Sequence, residues 1–347
     1  MGALTMPPAE PAIWFPTIRA GTGADVYVER LCAGLNARGI RTEIAWLPQR
    51  AEYLPLTVAV PPPPAWANIV HVNSWLPQRF RPAGLPLVAT VHHLVHDPLF
   101  APYRSHLQAL YHKTLIWPRE RKVIRKAAAV ICCADYVRKT VIAFSGRNDV
   151  RVIPNWVDVG AFQPGSAARV PGRPFTLFMV GSRTRRKGFD LLPRFVSALG
   201  PGFELRYAGG NASPIDLPGV VDLGRVDQTS LVGEYQQCDA VVSLSRYEGF
   251  GYTAVEGMAC GKPFLGFASS ALAEVVPPQA GCLVDLDDIG ALARAARHLA
   301  QNPDAAAAQG DAARAWTLTH FQDGNVEKYV NLYRTLAASS IARRGGS

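Results

Sequence analysis

The sequence predicts an α/β protein of two domains, each built on a parallel sheet, and three observations carry that expectation. The chain has 347 residues, and at about 150 residues per domain that length calls for two. A strand, a glycine-containing turn and a helix follow one another at residues 12–35, and the pattern restarts at residues 175–190. Between the halves, residues 154–174 are rich in Pro, Gly, Ser and Ala, the composition of a linker. At 48% hydrophobic and 18% charged residues, the composition suits packed cores rather than a disordered chain.

In the first half, residues 12–15 form an apolar run that reads as the first strand. Arg19-Ala20-Gly21-Thr22-Gly23-Ala24 is the turn, and Val26, Val28, Leu31, Cys32 and Leu35 recur as one helix face. Gly39 closes that helix, and residues 42–47 read as the next strand. This βαβ unit lacks G-x-G-x-x-G. Glu43 lies at the start of the second strand, where a ribose-binding acid would sit at its end, so a nicotinamide dinucleotide is disfavoured. Residues 61–64 are four prolines, a stiff connection. Residues 69–73 and 87–91 read as buried strands, the second running into Thr90-Val91-His92-His93. Residues 103–115 are expected to be helical, with Leu107, Leu110, Tyr111 and Leu115 on one side, and Pro118 opens a second helical piece. Residues 127–134 and 150–153 complete the strands of this half.

In the second half, strands are expected at residues 175–180, 203–208, 220–223, 240–244 and 281–286. Leu231, Tyr235 and Cys238 mark a short helix, and residues 289–299, 305–318 and 326–336 are helical in pattern. Residues 338–347 read as a frayed tail. No run reaches 18 apolar residues, so no membrane span is expected. Residues 1–11 have neither a basic nor an apolar leader region, and Met6 breaks the myristoylation pattern. The six cysteines (Cys32, Cys132, Cys133, Cys238, Cys260 and Cys282) are scattered, which reads as reduced thiols in a cytoplasmic protein. The run from His92 to Asp97 lacks the spacing of a helical zinc pair, so no metal is expected.

Charge is uneven. Residues 1–160 carry 18 Lys+Arg against 10 Asp+Glu, leaving residues 161–347 nearly balanced at 18 against 17. The excess gathers around Lys113, Arg119, Arg121, Lys122, Arg125 and Lys126. This points to an anionic membrane surface or to the pyrophosphate of a lipid-linked acceptor; the alternative is a solvated helix face. Aromatics are not interleaved as a nucleic-acid stacking platform needs, so no nucleic acid is expected.

The densest stretch is residues 245–274, S-R-Y-E-G-F-G-Y-T-A-V-E-G-M-A-C-G-K-P-F-L-G-F-A-S-S-A-L-A-E. Glu248 and Glu256 lie eight positions apart, with Gly249 and Gly251 between them. A strand, a glycine loop and a helix start aim backbone N–H groups at an anion. The two carboxylates would repel that anion and suit adjacent sugar hydroxyls instead. Thr253-Ala254-Val255-Glu256 also fits a capping box, in which Glu256 would bond the backbone. Upstream, Gly181 to Asp190 holds Arg183, Arg185, Arg186 and Lys187 beside Gly188, cations that would stabilise charge on a departing phosphate.

These residues resemble the motifs of the retaining GT-B glycosyltransferases of family 4. The E-x7-E pair sits in E-G-F-G context, followed by M-A-C-G-K-P and by Ala273-Glu274-Val275-Val276. Residues 181–190 resemble the family's G-R-…-K-G-x-D, with Ser182 where its Arg stands. Thr90 to His93 resembles its T-x-H-D, with His93 for Asp, and Pro154-Asn155-Trp156-Val157-Asp158 resembles I-P-N-G-V-D, with Trp156 for Gly.

The resemblance implies two Rossmann-like domains facing across a cleft: residues 1–160 on the acceptor side with helix 325–337 returning to it, and residues 161–324 binding the nucleotide sugar. It implies that Arg183 and Lys187 hold the donor diphosphate and that Glu256 accepts the ribose hydroxyls. Glu248 contacts the donor sugar, and His92 orients sugar or acceptor. Gly21 and Gly23 approach the diphosphate, and Gly224, Arg225 and Val226 lie by the base. Gly249, Phe250, Gly251 and Tyr252 complete the loop. The implied activity is metal-independent, retaining transfer of a hexose-type sugar from a nucleotide-diphosphate donor, with no other cofactor. The implied acceptor belongs to a cell-surface polysaccharide, lipopolysaccharide or lipid-linked glycan, at the inner face of the membrane. A soluble glycoside synthase, a sugar-nucleotide epimerase and a non-catalytic or nucleic-acid-binding protein on the same scaffold remain as alternatives.

Overall fold

The computed structural model describes residues 10–166, 172–210 and 213–344, with side chains to residue 339. The expectations for residues 1–9, and for part of the linker, lie outside the described residues. Two compact units emerge. One holds the chain up to Asp97, Arg104–Asn155 and the segment from Asp323 onward; the other holds Pro98–Tyr103 and Trp156–Gln322. The division thus falls at Asn155 and Trp156, where residue 160 was expected.

The first unit is a six-stranded sheet of β1 (Ala12–Ile18), β2 (Arg41–Leu47), β3 (Ile69–Asn73), β4 (Leu87–Val91), β5 (Ala129–Cys132) and β6 (Val150–Val152). Its spatial order is β2-β1-β3-β4-β5-β6 and every pairing is parallel. Both are buried along their whole length, and β5 reads as a continuous apolar run and β3 as one interrupted by His71 and ending at Asn73. Helix Asn325–Arg344 belongs to this unit. It docks through Tyr329 and Tyr333, both fully buried. Its backbone is helical to Arg344, through most of the stretch 338–347 that the sequence reads as a tail. Alanines and arginines favour the helix there, and no Gly or Pro intervenes before Gly345.

The second unit is a six-stranded sheet of β7 (Phe175–Val180), β8 (Phe203–Ala208), β9 (Val220–Gly224), β10 (Ala240–Val242), β11 (Phe264–Phe267) and β12 (Gly281–Val284). Read from one edge, the order is β9-β8-β7-β10-β11-β12, again all parallel. Leu177, Leu205, Val242 and Leu265 pack against Phe195, Leu292 and Ala296 to make its core. Strand β11 and helices Asp135–Ser145 and Leu192–Leu199 fall outside the expected elements. Strand β11 follows Gly261 and Pro263, which act as the stop for helix Tyr252–Ala259 and leave only four residues of strand pattern. Helix Leu192–Leu199 carries Pro193 in its first turn, where proline is tolerated because that N–H has no helical partner. Trp156, which stands where a glycine was expected, is buried and does not take positive φ, so the turn there is of a different kind.

Candidate active site

In the second sheet the chain order reverses between β7 and β10. Loops leaving the carboxyl ends of those two strands diverge to opposite sides, which makes a crevice at the sheet's end. The loop after β7 carries Lys187 and the loop after β10 carries Glu248. The Lys187 Nζ donates to Glu248 Oε1 at 2.5 Å, and both side chains are largely shielded from solvent. Burial alone would raise the Glu248 carboxyl, but the charges of Lys187 and Arg186 outweigh it, and the group sits below its ordinary value, ionised.

Two features bring these loops together. Gly188 has φ of +71°, and a Cβ there would fall 1.9 Å from the Leu244 carbonyl oxygen, so only glycine allows the two backbones to touch. Arg246, with a side chain only 5% exposed, then bonds both segments. Its Nη atoms donate to Asp190 at 2.7 and 3.0 Å, Nη1 also donates to the Arg185 carbonyl at 2.7 Å, and Nε donates to Asp287 at 2.6 Å. The Arg246 N–H donates to the Arg186 carbonyl at 2.9 Å. The sequence singled out neither Arg246 nor Asp287. The readable signal was the nearness in the chain of Asp190 to Lys187 and of Arg246 to Glu248, one acid and one base flanking the pair.

Glu248 is also held by its backbone, whose N–H donates to Ser270 Oγ at 2.8 Å from a residue with φ of +47°. Helix Tyr252–Ala259 starts at Gly251, which has φ of +96° and offers no side-chain cap. Thr253 therefore lies inside the helix, and the capping box expected as an alternative for Glu256 does not form. Glu256 is buried, and its Oε2 accepts the Tyr235 hydroxyl at 3.2 Å. Phe250 packs its buried ring on Phe321 and Tyr252, so its side chain serves the core.

Arg183, expected at the donor diphosphate, has partners of its own within the fold. It donates to Asp222 Oδ2 at 2.6 Å and to the Ser213 carbonyl, and its guanidinium lies 5.6 Å from the rings of both Phe189 and Tyr207. Asp222 in turn accepts the Gly224 N–H at 3.1 Å. The structure thus groups Arg183 with Gly224 and groups Lys187 with Glu248. Of the three arginines open from the sequence, Arg186 is the one whose charge acts on Glu248; it also donates to the Tyr247 carbonyl at 3.1 Å. Arg225 is exposed beyond β9.

In the first unit the order reverses between β1 and β3, and the Gly21 turn leaves β1 at that point. Gly21 has φ of +67°. Its N–H donates to the buried Asp25 carboxylate at 2.8 Å, and the Ala20 N–H does so at 3.0 Å. Asp25 therefore holds both amides of the turn. Gly23 begins helix Gly23–Asn36. His92 follows β4 directly and meets the Tyr27 ring edge-on at 4.6 Å. Its Nε2 is buried without a hydrogen-bond partner among the described residues. Burial first, then the adjacent His93, lowers it to about 3, so it is neutral at physiological pH. His71 is structural: its ring nitrogens bond the Tyr333 hydroxyl at 2.6 Å and Thr90 at 2.7 Å, tying β3, β4 and the last helix together.

The basic cluster lies on helix Trp117–Lys126 of this unit, joined through a π turn (His112–Ile116) to helix His106–Tyr111. Arg119 donates to the Glu52 carbonyl at 2.8 Å, and Lys122 bonds Gln78. Lys113, Arg125 and Lys126 are exposed. Among the described residues, no three His, Cys, Asp or Glu side chains converge to hold a metal ion, and no helix is long and apolar enough to cross a membrane.

The fold and the paired loops define a GT-B glycosyltransferase. Residues 174–302 match the family described as Glycosyl transferases group 1, and residues 64–161 match Glycosyltransferase Family 4. The chain belongs to that family of glycosyltransferases. Glycogen synthase of Mycobacterium tuberculosis is 26% identical over 304 residues, covering 81% of this chain and 67% of that protein. D-inositol 3-phosphate glycosyltransferase of Mycolicibacterium smegmatis is 29% identical over 320 residues, covering 82% and 72%. In fold, sucrose-phosphate synthase of Thermosynechococcus elongatus superimposes with a TM-score of 0.80 at 22% identity, covering 94% of this chain and all of that one.

Proposed function

We propose that this glycosyltransferase moves a hexose-type sugar from a nucleotide-diphosphate sugar to an acceptor hydroxyl with retention at the anomeric carbon and without a metal. The observation that carries the reading is the Lys187–Glu248 pair at the point where the second sheet reverses, a cation and a carboxylate already held at contact. An arriving diphosphate takes up the charge of Lys187, with Arg186 beside it, and releases Glu248 towards the sugar. The anomeric C–O bond to the phosphate breaks and leaves negative charge on the nucleotide, which the fixed cations stabilise. Glu248 opposes the positive charge that develops on the ring. The acceptor oxygen bonds the same face of the anomeric carbon, and its proton passes to the departing phosphate oxygen.

In this reading Glu256 receives the ribose hydroxyls and the backbone of Gly249 to Gly251 contacts nearby donor oxygens. Gly224, Arg225 and Val226 lie by the base, and neutral His92 orients sugar or acceptor. Arg183, engaged by Asp222, braces the loop beside the base, and the phosphate role falls to Lys187 and Arg186. The acceptor is a cell-surface polysaccharide, lipopolysaccharide or lipid-linked glycan, met by the basic helix at the inner face of a membrane. A second reading, transfer to a small soluble phosphorylated acceptor, draws on the names of two of the similar proteins, an inositol-phosphate glycosyltransferase and a sucrose-phosphate synthase.

A thermal-shift screen over UDP-, GDP-, ADP- and TDP-sugars tests the donor. One nucleotide class is expected to raise the melting temperature in proportion to the logarithm of its concentration. No shift with any of them would overturn the reading. The anomeric proton of the product, read by NMR, decides retention.

A further inference from the structure

Eleven large apolar side chains are well exposed among the described residues, and seven of them fall within residues 53–56 and 107–117 of the first unit. Leu56 is 85% exposed, Leu107 76%, Leu54 59% and Leu110 58%. These values are unusual for leucines on ordered elements, and their clustering is what separates a functional patch from scattered surface leucines. The two segments share one flank. The Tyr53 and Tyr111 rings lie 5.4 Å apart, the Tyr111 hydroxyl donates to Glu52 at 2.8 Å, and Arg119 donates to the Glu52 carbonyl.

Further along the same helical segment the outer face turns basic. Trp117 and Pro118 line a shallow pocket of about 310 Å³ with Arg121, Lys122, Arg125 and Lys126. The Arg121 guanidinium stacks 4.8 Å over the Trp117 ring. Glu120 is the one acid between residues 106 and 126, and it points inward: it is buried and accepts Ser74 Oγ at 2.9 Å. Nothing on the outer face of this segment balances the cations. An apolar ledge leading into a cation-lined pocket beside an indole is the pattern of an element lying in a membrane interface, with side chains entering the acyl boundary and the pocket meeting phosphate head groups. A nucleic-acid face would carry the cations without the leucines.

We propose that residues 53–56 and 106–126 dock this protein on an anionic bilayer, with Leu54, Leu56, Leu107 and Leu110 inserted and the Trp117 pocket holding a lipid phosphate. This rests on the reading that the acceptor is met at a membrane, and it names the surface that does so. The test is sedimentation of the full chain with phosphatidylcholine vesicles, with and without phosphatidylglycerol, and it contains neither donor nor acceptor.

The chain binds the phosphatidylglycerol vesicles and not phosphatidylcholine alone. The triple variant Leu56→Ser, Leu107→Ser, Leu110→Ser weakens binding about tenfold or more and keeps that deficit in high salt, where apolar insertion is unscreened. Arg125→Glu with Lys126→Glu abolishes the preference for anionic vesicles, and Leu286→Ser, on the other unit, changes nothing. All these positions are exposed, so each variant should melt as the parent does. Absence of binding, equal binding to both vesicles, or full binding by the triple-serine variant overturns the proposal; the last outcome would leave a purely electrostatic surface. A chain that binds vesicles but answers to no nucleotide sugar would lose the transferase reading and keep this one.

Discussion

At the scale of single residues, the contact between Lys187 and Glu248 carries the proposed chemistry. Replacing Lys187 by Ala leaves a shielded carboxylate without its counter-charge and removes the cation from the leaving group. We expect kcat/KM to fall by about 10²–10³ in an assay of sugar transfer, the scale seen when one preorganised electrostatic group is lost. Glu256→Gln separates binding from structure. The residue lies within the helix and does not cap it, so a ribose role predicts a raised donor KM with the melting temperature nearly kept. An unchanged KM would remove Glu256 from the donor site. Lys187, Glu248 and Glu256 were legible as candidates because glycine context and spacing place the first two on loops and the third in the helix that follows Gly251. The partner of Arg183 was not legible. Asp222 lies 39 positions away in the chain, and which of several arginines an acid meets is decided by packing.

At the scale of elements, two loops from neighbouring strands are joined by backbone contact at Gly188 and by the Arg246 side chain. Gly188→Ala forces a Cβ into the Leu244 carbonyl and holds alanine at positive φ. It should therefore lower the melting temperature and weaken donor binding together. Arg246→Ala removes a buried guanidinium and its bonds to Asp190 and Asp287, but those carboxylates are over 40% exposed and stay solvated, so the loss should be about 1.5–3 kcal/mol, to be read by denaturant unfolding. Arg246→Lys tests positioning. A lysine is too compact to bond Asp190 bidentately and Asp287 at once, so the variant should recover part of the stability while donor KM stays raised. The strands of both sheets were legible from their apolar runs. Strand β11 and helix Leu192–Leu199 were not, since four residues or a proline-opened turn carry too little periodicity to stand out.

At the scale of the whole molecule, buried titratable groups set the pH range of stability. Burial pushes Glu120 up to about 8, only partly offset by its bond from Ser74. Burial first, then neighbouring histidines or Arg104, lowers His71 and His92 to about 3 and His96 to about 4. A carboxyl raised in the folded state contributes fully below its ordinary value of 4.5 and loses that contribution as pH climbs through 8. Histidines lowered in the folded state contribute above 6.5 and lose it as pH falls. The three histidines outweigh the one acid on the low side, so stability should peak near pH 6.5. Glu120→Gln keeps the bond to Ser74 and should flatten the alkaline arm, where the slope from Glu120 approaches about 1.4 kcal/mol per pH unit. Melting curves from pH 5 to about 9 check both arms; an unchanged alkaline arm in the variant would show that Glu120 is not its source.

By itself the sequence determined the α/β class, the two-domain plan, the family and the loop-and-helix stretch that carries Glu248 and Glu256, because hydrophobic period, glycine turns and motif spacing are local properties of the chain. The tertiary structure alone decided the pairings: Lys187 rather than Arg183 on Glu248, Asp25 on the Gly21 amide, Arg246 across two loops, and Glu120 turned inward beneath a basic face. Hydrogen bonds and ion pairs between distant segments depend on which strands become neighbours in a sheet. That order, with β7 beside β10, is a product of global packing.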